Sequence, residues 1–219
     1  METAAVKVNP YSIKNRIRRQ VLFFKLIRHK LDSEGRNELA KEYLELAKDR
    51  HRNGKEVKAD LEKRPSDWEE VRPAVISDEM KSSYKYLIKA QKAGTAAGLK
   101  KKMAEFSPQL AKDAFDIGYE FYNVASSGEI LGFTTADDNK MHDDYNKAAL
   151  NLYLVARNLC SKKSERASKS RLGIHMDNVQ SFAGYFYQSA KETLGGKDEP
   201  VDLATLKLIV ANASVELQW

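Results

Sequence analysis

The sequence predicts an all-α protein: an up-down four-helix bundle with an extra helical insertion in its N-terminal half and a helical extension at its C-terminal end. Three observations carry that expectation. Between Ser66 and Leu159, apolar residues recur at steps of three and four in three successive stretches, so each stretch has one helical face to bury. A fourth apolar stripe lies upstream at 12–31 and supplies the face that three helices lack. Finally, 42% hydrophobic residues in 219 are enough for the core of one domain with an appendage. No run approaches the roughly 18 apolar residues that a membrane-crossing helix requires.

Residues 1–11 read as a flexible arm ending at Pro10, and 12–160 as the bundle. Ser12 is a plausible N-cap, and Ile13, Ile17, Phe24, Ile27 and Leu31 form the apolar stripe of the first bundle helix. Asp32-Ser33-Glu34-Gly35 breaks that helix. A further amphipathic stretch runs from about Arg36 to Arg50 with Leu39, Tyr43, Leu46 and Ala47 on one side. Asn53-Gly54 is a stop signal, and 55–65 reads as a charged connector; about 36–60 is expected as a helical insertion. Ser66 and Glu69 form a capping box, and Pro73 predicts a short turn bearing Trp68 and Val71, a kink, then a helix over 74–93.

Gly94-Thr95-Ala96-Ala97-Gly98 and the lysines after it read as a loop. No strand precedes it and the Gly-Lys-Ser/Thr ending is absent, so it is not a phosphate-cradling loop. Ser107-Pro108 predicts the next helix, 108–125, with Leu110, Ala114, Ile117, Phe121 and Val124 inward. Gly118 within it costs about 1 kcal/mol relative to alanine and suggests a close helix approach. After a loop at 129–136, the last bundle helix is 138–160, with Met141, Tyr145, Ala148, Leu152, Val155 and Leu159. Residues 161–219 are a basic linker and a helical extension, either packed on the bundle or laid on a partner, with Trp219 as a possible interface anchor.

The formal charge is +6, and its distribution says more than its total. From Thr3 to Leu31 there is no acid, while Arg16, Arg18 and Arg19 stand among further lysines and arginines. Lys100-Lys101-Lys102 and Lys162, Lys163 and Arg166 form two more clusters. Any one of these can be an ordinary solvated face. Three together point to a negatively charged partner: a nucleic acid, an anionic membrane or the acidic face of a larger complex.

Little points to chemistry. The four histidines are scattered, outside any two-histidine metal motif. Asp137, Asp138, His142, Asp143 and Asp144 could hold a divalent cation, but they straddle a helix start, where acids are favoured electrostatically. The helix-cap reading is preferred, and no metal or other cofactor is expected. The single Cys160 excludes an internal disulfide, and no nucleophile has a recognisable setting, so the protein reads as a non-enzyme.

Pro65-Ser66-Asp67-Trp68-Glu69-Glu70-Val71-Arg72-Pro73-Ala74-Val75, leading to Met80-Lys81-Ser82-Ser83-Tyr84, resembles the PsbQ family, the oxygen-evolving enhancer 3 proteins of photosystem II. Leu110-Ala111-Lys112-Asp113-Ala114-Phe115 and Tyr145-Asn146-Lys147-Ala148-Ala149-Leu150 are similar to its next two helices in order and length. The resemblance covers about 66–159 and leaves 36–60 and the tail after 161 without a counterpart. It implies a non-catalytic extrinsic subunit in the chloroplast thylakoid lumen, peripheral to the membrane. Its partners would be a photosystem core and neighbouring extrinsic or antenna subunits. Trp68, Val71 and Arg72 would anchor it, with the basic clusters steering its approach. The intact Met1 and missing lumenal signal depart from that pattern. The alternative is a basic helical nucleic-acid-binding or nucleocapsid-type protein.

Overall fold

The computed structural model describes residues 13–63, 73–127, 136–160, 179–195 and 201–216. Among them are seven helices and no strand: α1 (Ile13–Ile27), α2 (Ser33–Lys63), α3 (Pro73–Ala93), α4 (Ala97–Ser127), α5 (Ala136–Cys160), α6 (Val179–Leu194) and α7 (Leu203–Glu216). The all-α bundle is as expected, but its first helix is α2 rather than α1. Leu39, Ala40, Tyr43, Leu44, Leu46 and Ala47 are all buried, and α2 packs along α3. The stretch 36–60 is therefore a bundle helix and not an insertion.

Asp32 explains where α2 begins. Its carboxylate accepts the Gly35 amide at 2.8 Å and its carbonyl accepts that of Arg36, so Asp32 caps α2 as well as ending the preceding turn. Asn53-Gly54 does not stop the helix. Gly54 is buried, and a Cβ there would lie 3.2 Å from Met80 Cε and 3.4 Å from Glu79 Cβ. The missing side chain is used for close packing of α2 on α3, and that contact offsets the glycine's low helix propensity. Ser83 Oγ donates to the Ala47 carbonyl at 2.7 Å across the same seam.

The connection from α3 to α4 is only Gly94-Thr95-Ala96, and Asn37 of α2 organises it. Its side-chain oxygen accepts from the Thr95 amide at 2.8 Å, the Thr95 hydroxyl at 3.0 Å and the Ala96 amide at 3.0 Å. Arg36 Nε donates to the Ala93 carbonyl at 3.3 Å, satisfying an end of α3. With its start held this way, α4 begins at Ala97, ahead of the expected Ser107-Pro108. Leu99, Met103 and Phe106 extend its buried face upstream, and Pro108 sits inside the helix. Ala104, whose carbonyl Pro108 cannot serve, lies on the exposed side.

Successive bundle helices run in opposite directions: Arg50 meets Glu79 and Asn37 meets Thr95 between α2 and α3, while Phe121 meets Tyr145 between α4 and α5. The two hairpins stack with α3 against both α4 and α5. Between α2 and α4 runs a polar seam. His51 Nε2 lies 2.7 Å and Lys55 Nζ 3.1 Å from Asp113 Oδ2, and Lys58 pairs with Glu120 at 2.8 Å. Burial alone would raise Asp113, but the hydrogen bonds and charges of His51 and Lys55 outweigh it and hold the carboxyl below its ordinary range. One turn on, burial raises Asp116 to about 6, with Asp113 and Glu120 adding to the effect against Lys112 and Lys58.

The C-terminal extension packs on the bundle. Phe186 and Tyr187 of α6 are fully buried, among Phe115, Tyr119 and Tyr122 of α4 and Tyr153 of α5. Tyr187 donates its hydroxyl to the Ala149 carbonyl at 3.0 Å. Gly118 is the opening that admits it, because a Cβ there would stand 2.1 Å from Tyr187 Oη. Asp202 caps α7 by accepting the Thr205 amide at 2.7 Å, and Leu206, Ile209 and Val210 are buried. Residues 129–135 of the expected loop and the capping box at Ser66 lie outside the described residues, and Ala136, expected in that loop, is the first residue of α5.

Candidate docking surface

The sequence of α1 places two apolar faces on one helix, and only one is used. Leu22, Phe23 and Leu26 turn inward and pack against the core. Ile13, Ile17, Val21, Phe24 and Ile27, at steps of four and three, turn outward and are 77, 55, 48, 63 and 57% exposed. Of the stripe expected to form the bundle's first face, Ile13, Ile17, Phe24 and Ile27 thus point away from it, because α2 already fills that place, while Leu31, beyond the end of α1, packs against the core. A row of five large apolar side chains in solvent is the kind of patch that marks an interaction surface.

Three sets of contacts hold α1 in place. Arg18 pairs with Glu42 at 2.7 Å, and with Glu38 at 3.9 Å. Arg19 is buried and lies 3.9 Å from the other Glu42 oxygen. Phe23 meets Tyr43 edge-on, Tyr43 stacks with Tyr86, and Lys89 lies 5.5 to 5.7 Å from all three ring centres. Burial, with Lys85 and Arg19 nearby, holds the Lys89 ammonium below its ordinary range. This ring of aromatics about a lysine joins α1, α2 and α3, and nothing in the linear spacing of the four residues announced it.

α1 ends in a Schellman motif. The Lys30 amide donates to the Lys25 carbonyl and the His29 amide to that of Leu26, which puts His29 in the left-handed conformation at φ 57°. The turn leaves two grooves beside the helix. One, of about 380 Å³, has apolar walls from Phe23, Leu26, Ile27 and Leu31 and a cationic rim from Arg36 and Lys92, with His29 beside them. The other, of about 490 Å³, sets Val21 and Phe24 against Lys25, Arg28 and Lys30. Each groove offers an apolar wall and a cationic rim.

The expected partner-binding residues divide among several settings. Arg16 is exposed beside the stripe, while Arg18 and Arg19 are engaged with Glu42, so Arg19 belongs to the joint and not to a free surface. Lys100, Lys101 and Lys102 are exposed on the first turns of α4 rather than in a loop, with Lys101 4.0 Å from Glu105. They share an end of the bundle with Arg36 and Lys92, since α2 and α4 both start there and α3 ends there. Trp68, Val71, Arg72, Lys162, Lys163, Arg166 and Trp219 lie outside the described residues.

No described helix is long and apolar enough to cross a membrane. Among the described residues, no three His, Cys, Asp or Glu side chains gather as if for a metal ion. The side chains of Asp137, Asp138 and His142 are not among those described. Burial raises the Cys160 thiol to about 11, against the weaker pull of Lys207, which keeps it protonated and unreactive near neutrality. The fold and this surface define an all-α bundle carrying an amphipathic helix whose exposed apolar stripe is flanked by cations. Comparisons with protein families, curated proteins and solved structures find no match.

Proposed function

We propose that the protein is a non-catalytic docking subunit, attached as an extrinsic component to the lumenal face of a photosystem, photosystem II before photosystem I, which it stabilises. The observation that carries the docking role is α1, a helix with its larger apolar face outward and cations around it. Placing the dock on a photosystem rests on the resemblance of about 66–159 to the PsbQ family. A cationic protein suits an acidic receiving face by charge complementarity, which speeds encounter and makes attachment sensitive to salt. The test is co-purification: the native protein should travel with pigmented membranes and wash off as salt rises. Recovery in ribonucleoprotein, free of pigment, would overturn the photosystem reading.

One observation favours a second reading, nucleic-acid binding. Phe24 is exposed beside Lys25 and Arg28, as a stacking platform for bases would be. Its neighbours on the stripe are isoleucine and valine, which offer bases neither stacking nor hydrogen bonds, so we rank this reading second. Tight binding of RNA or DNA at physiological salt would reverse the order.

A further inference from the structure

We propose that α1 is a membrane-surface anchor: its outward stripe seats at the boundary between headgroups and acyl chains of an anionic bilayer, while Arg16, Lys25, Arg28 and Lys30 meet the lipid phosphates. This deepens the docking reading above by naming what α1 touches, and rests on it only in taking α1 as the docking element. The helix has the make-up of an interfacial helix, one face of isoleucine, valine and phenylalanine interrupted only by Gln20, and flanks of lysine and arginine. All five stripe residues stand clear of the bundle over a helix about 21 Å long, so they can enter one plane together. The four cations are exposed, and α1 contains no acid to repel a phosphate.

Charge also argues against the other ways of covering the stripe. A second copy of α1, parallel or antiparallel, would set cations of one helix against cations of the other, with no acid on either helix to pair with them. A protein groove would need an acidic rim along the whole helix; an anionic bilayer supplies that charge over any length. The groove walled by Val21 and Phe24 and rimmed by Lys25, Arg28 and Lys30 places cations where a phosphate would lie above an inserted phenylalanine.

The test is co-sedimentation of the full chain with vesicles of phosphatidylcholine mixed with phosphatidylglycerol, against phosphatidylcholine alone. Binding should be at least about tenfold tighter to the anionic vesicles and should weaken as salt screens the cations. Phe24→Asp and Ile17→Asp should each lower it about tenfold while leaving the melting temperature unchanged, as both side chains are exposed. Leu208→Asp, at an exposed leucine on α7, should leave binding as it is. The inference is overturned by failure to bind anionic vesicles, or by equal losses in Leu208→Asp. It is also overturned if sedimentation shows a dimer that Phe24→Asp dissociates without vesicle binding. A chain that binds these vesicles yet never co-purifies with a photosystem keeps this inference and loses the photosystem reading. One that co-purifies but ignores lipid does the reverse.

Discussion

Gly118 and His29 hold positions that their side chains, or lack of one, decide in opposite ways. Gly118 is a poor helix former kept for the space it leaves. Gly118→Ala should gain helix propensity yet lose about 2 kcal/mol of stability, because the new methyl meets the Tyr187 hydroxyl. In the Gly118→Ala, Tyr187→Phe double variant the loss should be less than additive, since removing the hydroxyl relieves the clash. Urea unfolding of the four proteins checks both statements. His29 has the converse problem, a side chain where the backbone favours glycine. His29→Gly should raise stability by up to about 1 kcal/mol, read as a higher urea midpoint with an unchanged slope.

At the scale of elements, the α2–α4 seam sets two carboxylates one turn apart against each other in their response to pH. The raised pKa of Asp116 means that the folded protein keeps a proton that the unfolded chain releases near pH 4. Its contribution is therefore complete below about pH 4 and is lost as pH rises to about 6. Asp113 is depressed, so its contribution is present above about pH 4 and is lost as pH falls through its folded value. Asp116→Asn should remove the decline between pH 4 and 6 and leave the acid limb due to Asp113, as measured by urea unfolding across that range.

The same scale shows what could be read from the sequence. Apolar periodicity located the inward faces of α2, α3, α4 and α5, because burial selects side chains directly. Boundaries were misread wherever a distant residue decided them. Gly54 resembles a stop until Met80 is seen against it, and Pro108 resembles a start until Asn37 is seen holding Ala96. The stripe of α1 was found, but periodicity cannot tell which of two apolar faces turns inward. The basic character of the α1 face is legible in the acid-free N-terminal stretch, whereas the Lys89 joint, assembled from three helices, is not.

For the whole molecule, α1 is an attachment to a bundle that is complete without it. A chain beginning at Asp32 retains the α2 cap and all four bundle helices, and should unfold in one cooperative transition with its helical content reduced by about the length of α1. Circular dichroism during heating checks this. Loss of cooperativity would mean that the Lys89 joint is part of the core. Raised salt should have a related but milder effect, loosening the Arg18–Glu42 pair, which is half in solvent, while leaving the buried aromatic contacts in place.

Asn37 gives this molecule a natural reporter on its own opening. The amide hydrogens of Thr95 and Ala96 sit in a three-residue turn, where exchange with solvent deuterium would ordinarily be fast, yet both are bonded to a side chain of another helix. They should exchange as slowly as the ends of α2 permit, and only when α2 parts from the turn. In Asn37→Ala they should exchange at the rate of a free loop while the middle of α3 keeps its protection. The deuterium uptake of two backbone positions would then time the parting of α2 from the turn that joins α3 to α4.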